Sequence, residues 1–546
     1  MKLLLEVCKM LFYGYVKIFY LLFSFISLNL FGQTFYWDSP KAITSVNSQF
    51  PVVISDDSNN FLFFEEVASK SEIYLSVQIK DKSSFEWGSP KRFAGPFKYS
   101  GEVPDIYSVA ISDSGIIAVA VLVSDTSVGI FVSDDGGQTF SFSELPHQVQ
   151  PIVGPRIYST SSNGFVLFAA LGENESFKLM WAKSANGHRW SSLSIFEPTE
   201  NFTNPFAPYL CKIPGGGDLV VFQAQHQYLH NGESRRSYQL YSTCSVDNLS
   251  SWSLPLMVTD EKSLLATSDG INTNYNNQRP ILYSNDSKIF LSWERTFYAS
   301  ESSHIWFMEL SKNGVASGGL EEITNSGSAH RPVFFEYNSN ICLSWFDNRR
   351  GNDSIYMAIK NGFLWEENTL YAEKKSAFFV YPLINAENQL SFIWQQKVGR
   401  KNVSNLYSLM PDMIVNSPKI SPKNFKDGKK NTSEKIFAKV VLPEDSSGIA
   451  GFSWLWTKNE FDEPPEEFMN LPTENTISCI AQDDGVYYLK VRATDYAGNW
   501  SDSVSVKYWR DLTPPKKPII NNFDFAEYGF AKSNSVFFEG KGDDSD

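Results

Sequence analysis

One pattern recurs seven times in this 546-residue chain and limits the folds open to it. Short apolar segments that contain or follow a proline return at intervals of about fifty residues. The seven segments are FPVVIS (50–55), VPDIYSVAIS (103–112), QPIVGPRIYS (150–159), APYLCKIP (207–214), RPILYS (279–284), RPVFFEY (331–337) and YPLINA (381–386). A period of this length is typical of repeat architectures, in which each unit packs against its neighbours.

Each of these segments is followed by two more apolar runs, such as GIIAVAVLV (115–123) and KIFLSWER (288–295). The runs are short, rich in β-branched and aromatic residues, and bounded by Gly, Asn, Asp and Ser, which is typical of β-strands. The sequence therefore predicts several strands in every unit.

A turn motif follows the third strand of the unit, most completely in VSDDGGQTF, where Ser133, Asp135, Gly137, Thr139 and Phe140 fall in order. Asp accepts hydrogen bonds from nearby backbone, Gly takes a positive φ angle, and Thr ties the loop. Weaker versions are SANGHRW (184–190), SVDNLSSW (245–252) and IKNGFLW (359–365). We predict that the closing aromatic residue starts a fourth strand and packs between neighbouring sheets, so the motif is architectural.

Seven four-stranded units predict an all-β fold with a seven-bladed β-propeller over residues 33–413. The seventh unit lacks a fourth strand of its own. The segment FYWDSPKAI (35–43) resembles FEWGSPKRF (85–93), which is a fourth strand of the first unit. We therefore expect Trp37 and its neighbours to complete the last blade, so that the ring is closed by an N-terminal strand.

The composition of the chain changes after residue 413. A polar linker, SPKISPKNFKDGKK (417–430), leads into alternating strands that predict a β-sandwich over residues 414–511. Residues 512–546 look like the start of a second, incomplete β-sandwich module.

The first 32 residues predict a signal peptide, because lysines precede the uncharged apolar run IFYLLFSFISLNLF (18–31). The alternative is a retained membrane anchor, but Lys17 shortens the apolar stretch below the length of a membrane span. We expect an exported protein, located in the periplasm or at the cell surface or secreted, with no membrane span after signal removal. The later cysteines are expected to be buried free thiols.

The formal net charge of −14 argues against nucleic acid or an anionic membrane as the main partner. No basic cluster and no glycine-rich phosphate loop contradicts that conclusion. We predict no cofactor and no metal site.

The turn motif and the run LSWFDNRRGNDSIYMAIKNG (343–362) resemble the sialidase-like Asp-box (BNR repeat) β-propeller family. The segments DSSGIAGFSW (445–454), GVYYLKVRATDYAGN (485–499) and DLTPP (511–515) resemble bacterial fibronectin type III or immunoglobulin-like modules. The first resemblance implies a substrate carboxylate held by three arginines, with a Tyr nucleophile, a Glu partner and an Asp acid. Phe50 stands where the first arginine is expected, and no Tyr–Glu pair is assignable, so no catalytic residue is predicted.

Charged residues in the fifth and sixth units are expected near one mouth of the propeller, where they would bind an anionic sugar or an acidic loop. The alternative is a structural role, with Asp347 and Arg349 forming ion pairs between blades. The candidate ligand-binding residues are Arg279, Glu294, Arg295, Arg331, Asp347, Arg349 and Arg350.

Two long segments, 226–238 and 260–278, are expected on the same face, where loops often carry binding. His226 and His230 lie in the first of these segments, but no carboxylate is spaced to join them as a metal ligand. We therefore predict a solvent-exposed loop there and no metal site. Glu65 and Glu66 are adjacent on a strand and should therefore point to opposite faces.

The function predicted from these features is that of an exported, non-enzymatic binding or scaffold protein of the cell envelope. Its propeller face would bind a protein or glycan partner, and its β-sandwich modules would act as spacers. The alternatives are a glycan-active hydrolase of sialidase-like type and a carbohydrate-binding lectin or adhesin.

Overall fold

The structure is a computed structural model. It describes residues 34–541 except 70–71, 98–105, 125–126, 146–153, 174–175, 196–201, 231–232, 260–274, 298–299, 400–402, 515–516, 518 and 524–537. The predicted signal peptide, most of the 260–278 segment and most of 512–546 lie outside these residues. The described residues contain strands and no helix, so the all-β prediction is confirmed. A search of these residues for a helix long and apolar enough to cross a bilayer found none.

Residues 39–410 form one compact unit. It contains seven four-stranded antiparallel sheets among the described residues. The short strand β1 (Lys41–Ala42) comes first. Sheet one contains β2 (Ser48–Ser55), β3 (Asn59–Ser69), β4 (Glu72–Asp81) and β5 (Lys91–Phe97), and sheet two contains β6 (Tyr107–Ile111), β7 (Ile117–Ser124), β8 (Ser127–Ser133) and β9 (Ser141–Glu144). Sheet three contains β10 (Arg156–Ser159), β11 (Phe165–Glu173), β12 (Ser176–Ser184) and β13 (Ser194–Ile195), and sheet four contains β14 (Phe202–Lys212), β15 (Asp218–His230), β16 (Glu233–Ser245) and β17 (Leu256–Met257).

The remaining sheets of this unit repeat the same up-and-down order. They are sheet five, β18 (Tyr275–Ser284), β19 (Ile289–Phe297), β20 (Ser302–Leu310) and β21 (Glu321–Glu322); sheet six, β22 (Ala329–Tyr337), β23 (Asn340–Asp347), β24 (Ser354–Asn361) and β25 (Leu364–Tyr371); and sheet seven, β26 (Ala377–Ile384), β27 (Leu390–Val398) and β28 (Val403–Leu409) with β1 at its edge.

The arrangement of the sheets is propeller-like. The first strands of successive sheets lie next to one another, and β26 of sheet seven lies next to β2 of sheet one. Apolar side chains fill the space between neighbouring sheets, as Phe61 and Val119 do between sheets one and two, and Leu62 and Ile393 between sheets one and seven. The second strands read as continuous apolar runs because both of their faces are covered.

The N-terminal strand pairs with the last sheet, as expected, but through fewer residues than the repeat indicated. Lys41 pairs with Ser408 and Ala42 with Tyr407. Trp37 instead forms an isolated bridge with Pro411, and both of these residues belong to the second compact unit. The edge strand of sheet seven is therefore β1, and Trp37 does not take part in it.

The closing aromatic residues of the turn motifs pack where the sequence predicts. Phe140 stacks on Phe93 of sheet one with ring centroids 4.2 Å apart. Trp252 makes an edge contact with Trp181 of sheet three, and Trp365 does so with Phe307 of sheet five. Each ring thus joins its own sheet to the preceding one.

The second compact unit contains residues 34–38 and the described residues from 411 onward. Three- and four-stranded sheets surround one apolar core, which includes Ile436, Phe452, Leu489 and Tyr508. The strands are β29 (Lys419–Pro422), β30 (Lys430–Asn431), β31 (Lys435–Val441), β32 (Ile449–Thr457), β33 (Thr476–Ile480), β34 (Gly485–Asp495), β35 (Val504–Arg510), β36 (Ile519–Phe523) and β37 (Phe538–Lys541). Strands β29, β31 and β33 form the smaller sheet, and β30, β35, β34 and β32 form the larger one.

The four later cysteines, Cys211, Cys244, Cys342 and Cys479, form no disulfide. Three of them are buried, and Cys244 is partly exposed. Burial raises the pKa of the Cys211 thiol to about 12, so this thiol stays protonated and unreactive.

Candidate functional site

A backbone irregularity repeats in the first strands of five sheets. Each strand contains a bulge, and its first extra residue has a positive φ between 47° and 55°. The bulged residues are Phe50, Ala207, Arg279, Arg331 and Phe379. A residue other than glycine rarely adopts this conformation, and bulges re-aim side chains near functional sites. The first four of these residues precede a proline directly, which is the recurrent proline of the repeat.

Side chains of neighbouring sheets hold the bulges in place. In three cases a side chain on the second strand of the preceding sheet accepts a hydrogen bond from the bulged backbone N–H. Gln223 accepts from Arg279 N at 2.8 Å, and Gln395 accepts from Phe50 N at 2.8 Å. Glu294 accepts from Arg331 N at 3.0 Å. Each acceptor follows a large aromatic residue, and the bond links two neighbouring sheets.

Glu294 is the centre of the charged part of the site. Its side chain is fully buried, and it binds Arg279 Nη1 at 2.9 Å and His330 Nδ1 at 3.0 Å. Burial by itself would raise the pKa of Glu294, but Arg279, His330 and Arg331 outweigh it and lower the pKa to about 2. Glu294 is therefore a carboxylate at neutral pH, held between sheets five and six.

Aromatic rings lie next to these charged residues. The Arg331 guanidinium lies over Phe379 with its central carbon 5.6 Å from the ring centroid. Phe379 packs edge-on against Phe50 at 5.2 Å, which joins sheet seven to sheet one. Tyr107 of sheet two donates a hydrogen bond to the Phe50 carbonyl at 2.5 Å. We call Phe50, Arg279, Glu294, His330, Arg331 and Phe379 the inner-strand cluster.

The structure brings three of the seven predicted ligand-binding residues into this cluster, namely Arg279, Glu294 and Arg331. Arg295 follows Glu294 on β19 and therefore points to the opposite face of the strand. Its guanidinium is buried between the rings of Tyr275 and Trp306, 4.3 and 4.0 Å from their centroids. Arg295 has a packing role between strands and contacts no residue of the inner-strand cluster in the described structure.

Asp347, Arg349 and Arg350 form a separate set of contacts within sheet six. The guanidinium of Arg349 donates two hydrogen bonds to Asp347 and also binds Glu367 at 2.9 Å. Arg350 lies beside Thr369 of the same sheet. The ion pair expected between blades therefore lies inside one sheet, because Arg349 turns back toward the strand that precedes it.

A tyrosine–glutamate pair does exist, but away from the inner-strand cluster. Tyr283 donates to Glu336 at 3.2 Å, and burial together with that carboxylate raises the Tyr283 pKa to about 12. Tyr283 is four residues after Arg279 on β18, which is roughly 13 Å along a strand. The Tyr283–Glu336 pair is therefore separate from the Arg279–Glu294 pair, and the phenol stays protonated at neutral pH.

Glu65 and Glu66 point to opposite faces of β3, as the sequence predicts. Glu65 accepts from Gln49 at 2.9 Å, whereas Glu66 pairs with Arg92 and accepts from Ser76. Glu65 pairs with Gln49 in register, one residue before the bulged Phe50. Glu294 has the same relation to Gln278 and Arg279, so Glu65 and Glu294 occupy equivalent positions in sheets one and five.

The predicted loop 226–238 is largely a hairpin extension of β15 and β16. His226 lies 3.1 Å from the hydroxyl of Tyr241, and the side chain of His230 is outside the described residues. Among the described residues, one group of carboxylates is close enough to share a metal ion: Asp412, Asp445 and Asp495 of the second unit. The Ser447 amide donates hydrogen bonds to Asp412 and Asp445, and the Asn499 amide donates one to Asp495, so these carboxylates fix turns of the unit.

The turn motif contains only structural contacts. Ser133 Oγ accepts from Gly137 N at 2.8 Å, and Asp135 accepts from the Thr139 amide at 2.8 Å and its hydroxyl at 2.5 Å. These bonds, the Thr139 hydroxyl first, lower the pKa of Asp135 to about 2. Asp135 is thus fully used in fixing the turn, as the local spacing indicates.

No family model and no curated protein matches the chain. Among solved structures, the polysaccharide lyase Uly1 matches at 11% identity over 70% of this chain and 93% of its own, with a TM-score of 0.44. An α-L-arabinanase from Penicillium chrysogenum, complexed with arabinobiose, matches at 14% identity over 56% and 92% of the two chains, with a TM-score of 0.35. The α-L-arabinofuranosidase Arb93A from Fusarium graminearum matches at 12% identity over 56% and 92%, with a TM-score of 0.37. Likeness at this level concerns the fold and transfers no ligand.

Several members of the site were missed by the sequence analysis. They are His330 and Phe379, which carry no local motif that marks them, and Gln223 and Gln395. Two signals were available: the residue before each recurrent proline, and a Glu or Gln directly after the aromatic residue of the second strand. The first is visible in FP (50–51) and RP (279–280 and 331–332), and the second in FQ (222–223), WE (293–294) and WQ (394–395).

Proposed function

We propose that the first unit is a seven-bladed β-propeller whose inner-strand cluster binds a glycan that carries an acidic group. The observation that carries this proposal is the convergence of four bulged residues, two arginines and two phenylalanines, from non-consecutive parts of the chain. Strained bulges that are held by buried side chains have a cost, and such strain is usually retained where a site must be shaped.

The cluster offers two complementary kinds of contact. Arg279 is half-exposed and uses only Nη1 to bind Glu294, so the rest of its fork faces outward in the described structure. A planar guanidinium suits a carboxylate or sulfate. Phe379 lies under the Arg331 guanidinium and packs against Phe50, and both rings are half-buried. Aromatic faces pack against the apolar face of a sugar ring.

Binding is favoured over hydrolysis by the state of Glu294. A general acid needs a pKa near the working pH, whereas the pKa of Glu294 is about 2. The carboxylate therefore orients Arg279 and the Arg331 backbone and has no proton to donate.

The test is calorimetric binding of a panel of oligosaccharides that differ only in whether they carry uronic acid or sulfate groups. We expect an acidic member to bind and its neutral counterpart to bind at least about tenfold more weakly. Arg279→Gln should reduce the binding by a similar factor, while the matched variant Arg350→Gln should leave it unchanged. Equal affinity of acidic and neutral sugars, or no effect of Arg279→Gln, would refute the proposal.

A glycan-active hydrolase is the second candidate, because Glu65 and Glu294 are carboxylates at equivalent positions of two sheets and both are buried. Glycoside hydrolysis needs two carboxyl groups that flank one bond. Cleavage of the acidic oligosaccharide identified by calorimetry, together with loss of that cleavage in Glu65→Gln, would establish this activity. If the oligosaccharide is still intact after prolonged incubation with the protein, hydrolysis of that oligosaccharide is excluded.

The remaining parts of the proposal concern the whole chain. We propose export through the N-terminal signal, to the periplasm, cell surface or medium, and a spacer role for the fibronectin- or immunoglobulin-like second unit. Fractionation of producing cells, followed by N-terminal sequencing, tests export. An intact N-terminus in the cytoplasmic fraction would contradict it.

A further inference from the structure

The second unit carries two exposed surfaces of opposite charge. The first is the loop of residues 459–474 between β32 and β33, which we call the acidic loop. It contains no lysine or arginine and six carboxylates: Glu460, Asp462, Glu463, Glu466, Glu467 and Glu474. Large apolar side chains are exposed among them, with Phe461 at 86% and Phe468, Met469 and Leu471 at about half.

The acidic loop is held in a defined shape. Glu463 pairs with Lys490 at 2.9 Å and Glu466 with Arg492 at 3.2 Å. Asn470 accepts from Trp454 Nε1 at 2.9 Å and also exchanges backbone hydrogen bonds with Phe452. A loop fixed in this way loses little conformational entropy on binding, which favours association. These contacts fix the loop in a shape that leaves its apolar side chains exposed.

The second surface is the outer face of the three-stranded sheet, which we call the basic face. Strand β31 buries alternate residues in the core and exposes Lys435, Phe437, Lys439 and Val441. Lys419 lies beside Val441 in the register, and Ile480 lies beside Lys435. The basic face thus combines three lysines with Phe437, Val441 and Ile480, and Glu444 and Asp445 lie at its edge, near Lys439 and Val441.

The part of the acidic loop that carries Glu463 and Glu466 lies on the outer side of the larger sheet, whereas its end at Pro472 comes close to Lys439 and Val441 of the basic face. Lys490 and Arg492, which hold the acidic loop, point outward from β34, since Leu489, Val491 and Ala493 between and beside them are buried. The basic face points outward from the other sheet of the same core. One copy of the unit therefore cannot bring its own Phe461 onto its own Phe437.

We propose that the acidic loop of one copy of this chain docks on the basic face of a second copy. Carboxylates then meet lysines, and the exposed phenylalanines and aliphatic side chains are buried between them. Such a contact is heterologous, so it leaves one surface of each kind unoccupied and extends head to tail. The inference does not depend on the proposed glycan site, which lies in the other unit.

The test is sedimentation of the purified full chain over a concentration series at 0.1 M and 1 M salt. The Debye length falls from about 10 Å to about 3 Å between these conditions, so the self-association should weaken at high salt. Two charge-reversed variants follow: Lys435→Glu with Lys439→Glu, and Glu460→Lys with Glu467→Lys. Each alone places like charges opposite one another, and its self-association should fall by at least about tenfold.

The deciding sample is an equimolar mixture of the two variants. The unaltered acidic loop of the first variant then meets the unaltered basic face of the second, so the mixture should associate although neither variant self-associates. Matched controls in the first unit, Lys374→Glu with Lys375→Glu and Glu86→Lys with Glu387→Lys, change the net charge equally and should behave as wild type. Thermal melting verifies that each variant is folded.

Three outcomes would overturn the proposal. These are a wild-type chain that stays monomeric at all concentrations, reversed variants that associate as wild type does, and a mixture that associates no more than its components.

Discussion

Glu294 of sheet five and Asp347 of sheet six are both fully buried carboxylates close to arginines in sequence, yet they are used differently. Glu294 binds groups from two sheets: Arg279 of its own sheet, and His330 and the Arg331 backbone of the next. Asp347 binds Arg349, two residues away, which also binds Glu367 of the same sheet. The first arrangement shapes a surface where sheets converge, and the second fastens one sheet internally.

The difference between Glu294 and Asp347 shows that the presence of charged residues in the sequence does not predict which of them contact one another. Sequence alone placed the seven candidate residues at one mouth because they fall at corresponding ends of strands. The direction of each side chain and the partners that burial offers separate them. A carboxylate with several partners tolerates the loss of one, whereas a carboxylate with one cationic partner does not.

The largest effect should follow from removing Arg349. In Arg349→Ala the buried Asp347 loses its only cationic partner among the described residues, which should lower the free energy of unfolding by about 3–5 kcal/mol. Urea unfolding measures this, with Arg350→Ala as the neighbouring control that should change stability by less than about 1 kcal/mol. Similar losses in the two variants would show that Asp347 is not held as described.

The next effect concerns the pH dependence of Glu294. Its pKa in the folded state is about 2, below the ordinary 4.5, so its stabilising contribution is complete above pH 4.5 and is lost as the pH falls toward 2. The difference in free energy of unfolding between wild type and Glu294→Gln should be roughly 3 kcal/mol at pH 6 and shrink steadily below pH 4.5.

This difference is measured by urea unfolding at pH 6, 4 and 3. Glu387→Gln, at an exposed position of the same unit, serves as the control and should show no such trend. A wild-type advantage over Glu294→Gln that stays constant across the range would mean that Arg279 and His330 do not stabilise the ionised form.

The smallest effect should come from the turn motif. Ser133→Ala removes a buried hydroxyl that accepts from Gly137 N and donates to Asp135, which should lower stability by about 1 kcal/mol. Glycan binding should be unchanged, because the motif shares no contact with the inner-strand cluster in the described structure. If Ser133→Ala folds normally but binds the glycan more weakly, the turn motif and the binding region are not independent.

The parts of the fold that could be predicted are those encoded locally. The turn from Ser133 to Phe140 uses hydrogen bonds between residues two and four positions apart, and the spacing of Ser, Asp, Gly and Thr reports them directly. The strands follow from apolar runs bounded by turn residues. The packing of Phe140 and Trp365 against preceding sheets follows from their repeated position.

The inner-strand cluster could be predicted only in part because its contacts are not local. Phe50 N bonds to Gln395 across 345 positions, and Arg331 N bonds to Glu294 across 37. Arg295, adjacent to Glu294, was assigned to the site although alternation along a strand sends it to the other face. Trp37 was assigned to sheet seven by its likeness to Trp87, whereas the pairing starts at Lys41.

The sequence by itself determined the all-β character of this protein, the repeat of strands, the turns and the aromatic residues that join successive sheets. These features depend on neighbours within a few positions, or on a period that is visible in the chain. Only the tertiary structure decided which charges and rings meet, because the sheets converge and bring together residues that are far apart in sequence. It also decided which buried carboxylate gained several partners and which gained one, and that is a property of packing between sheets.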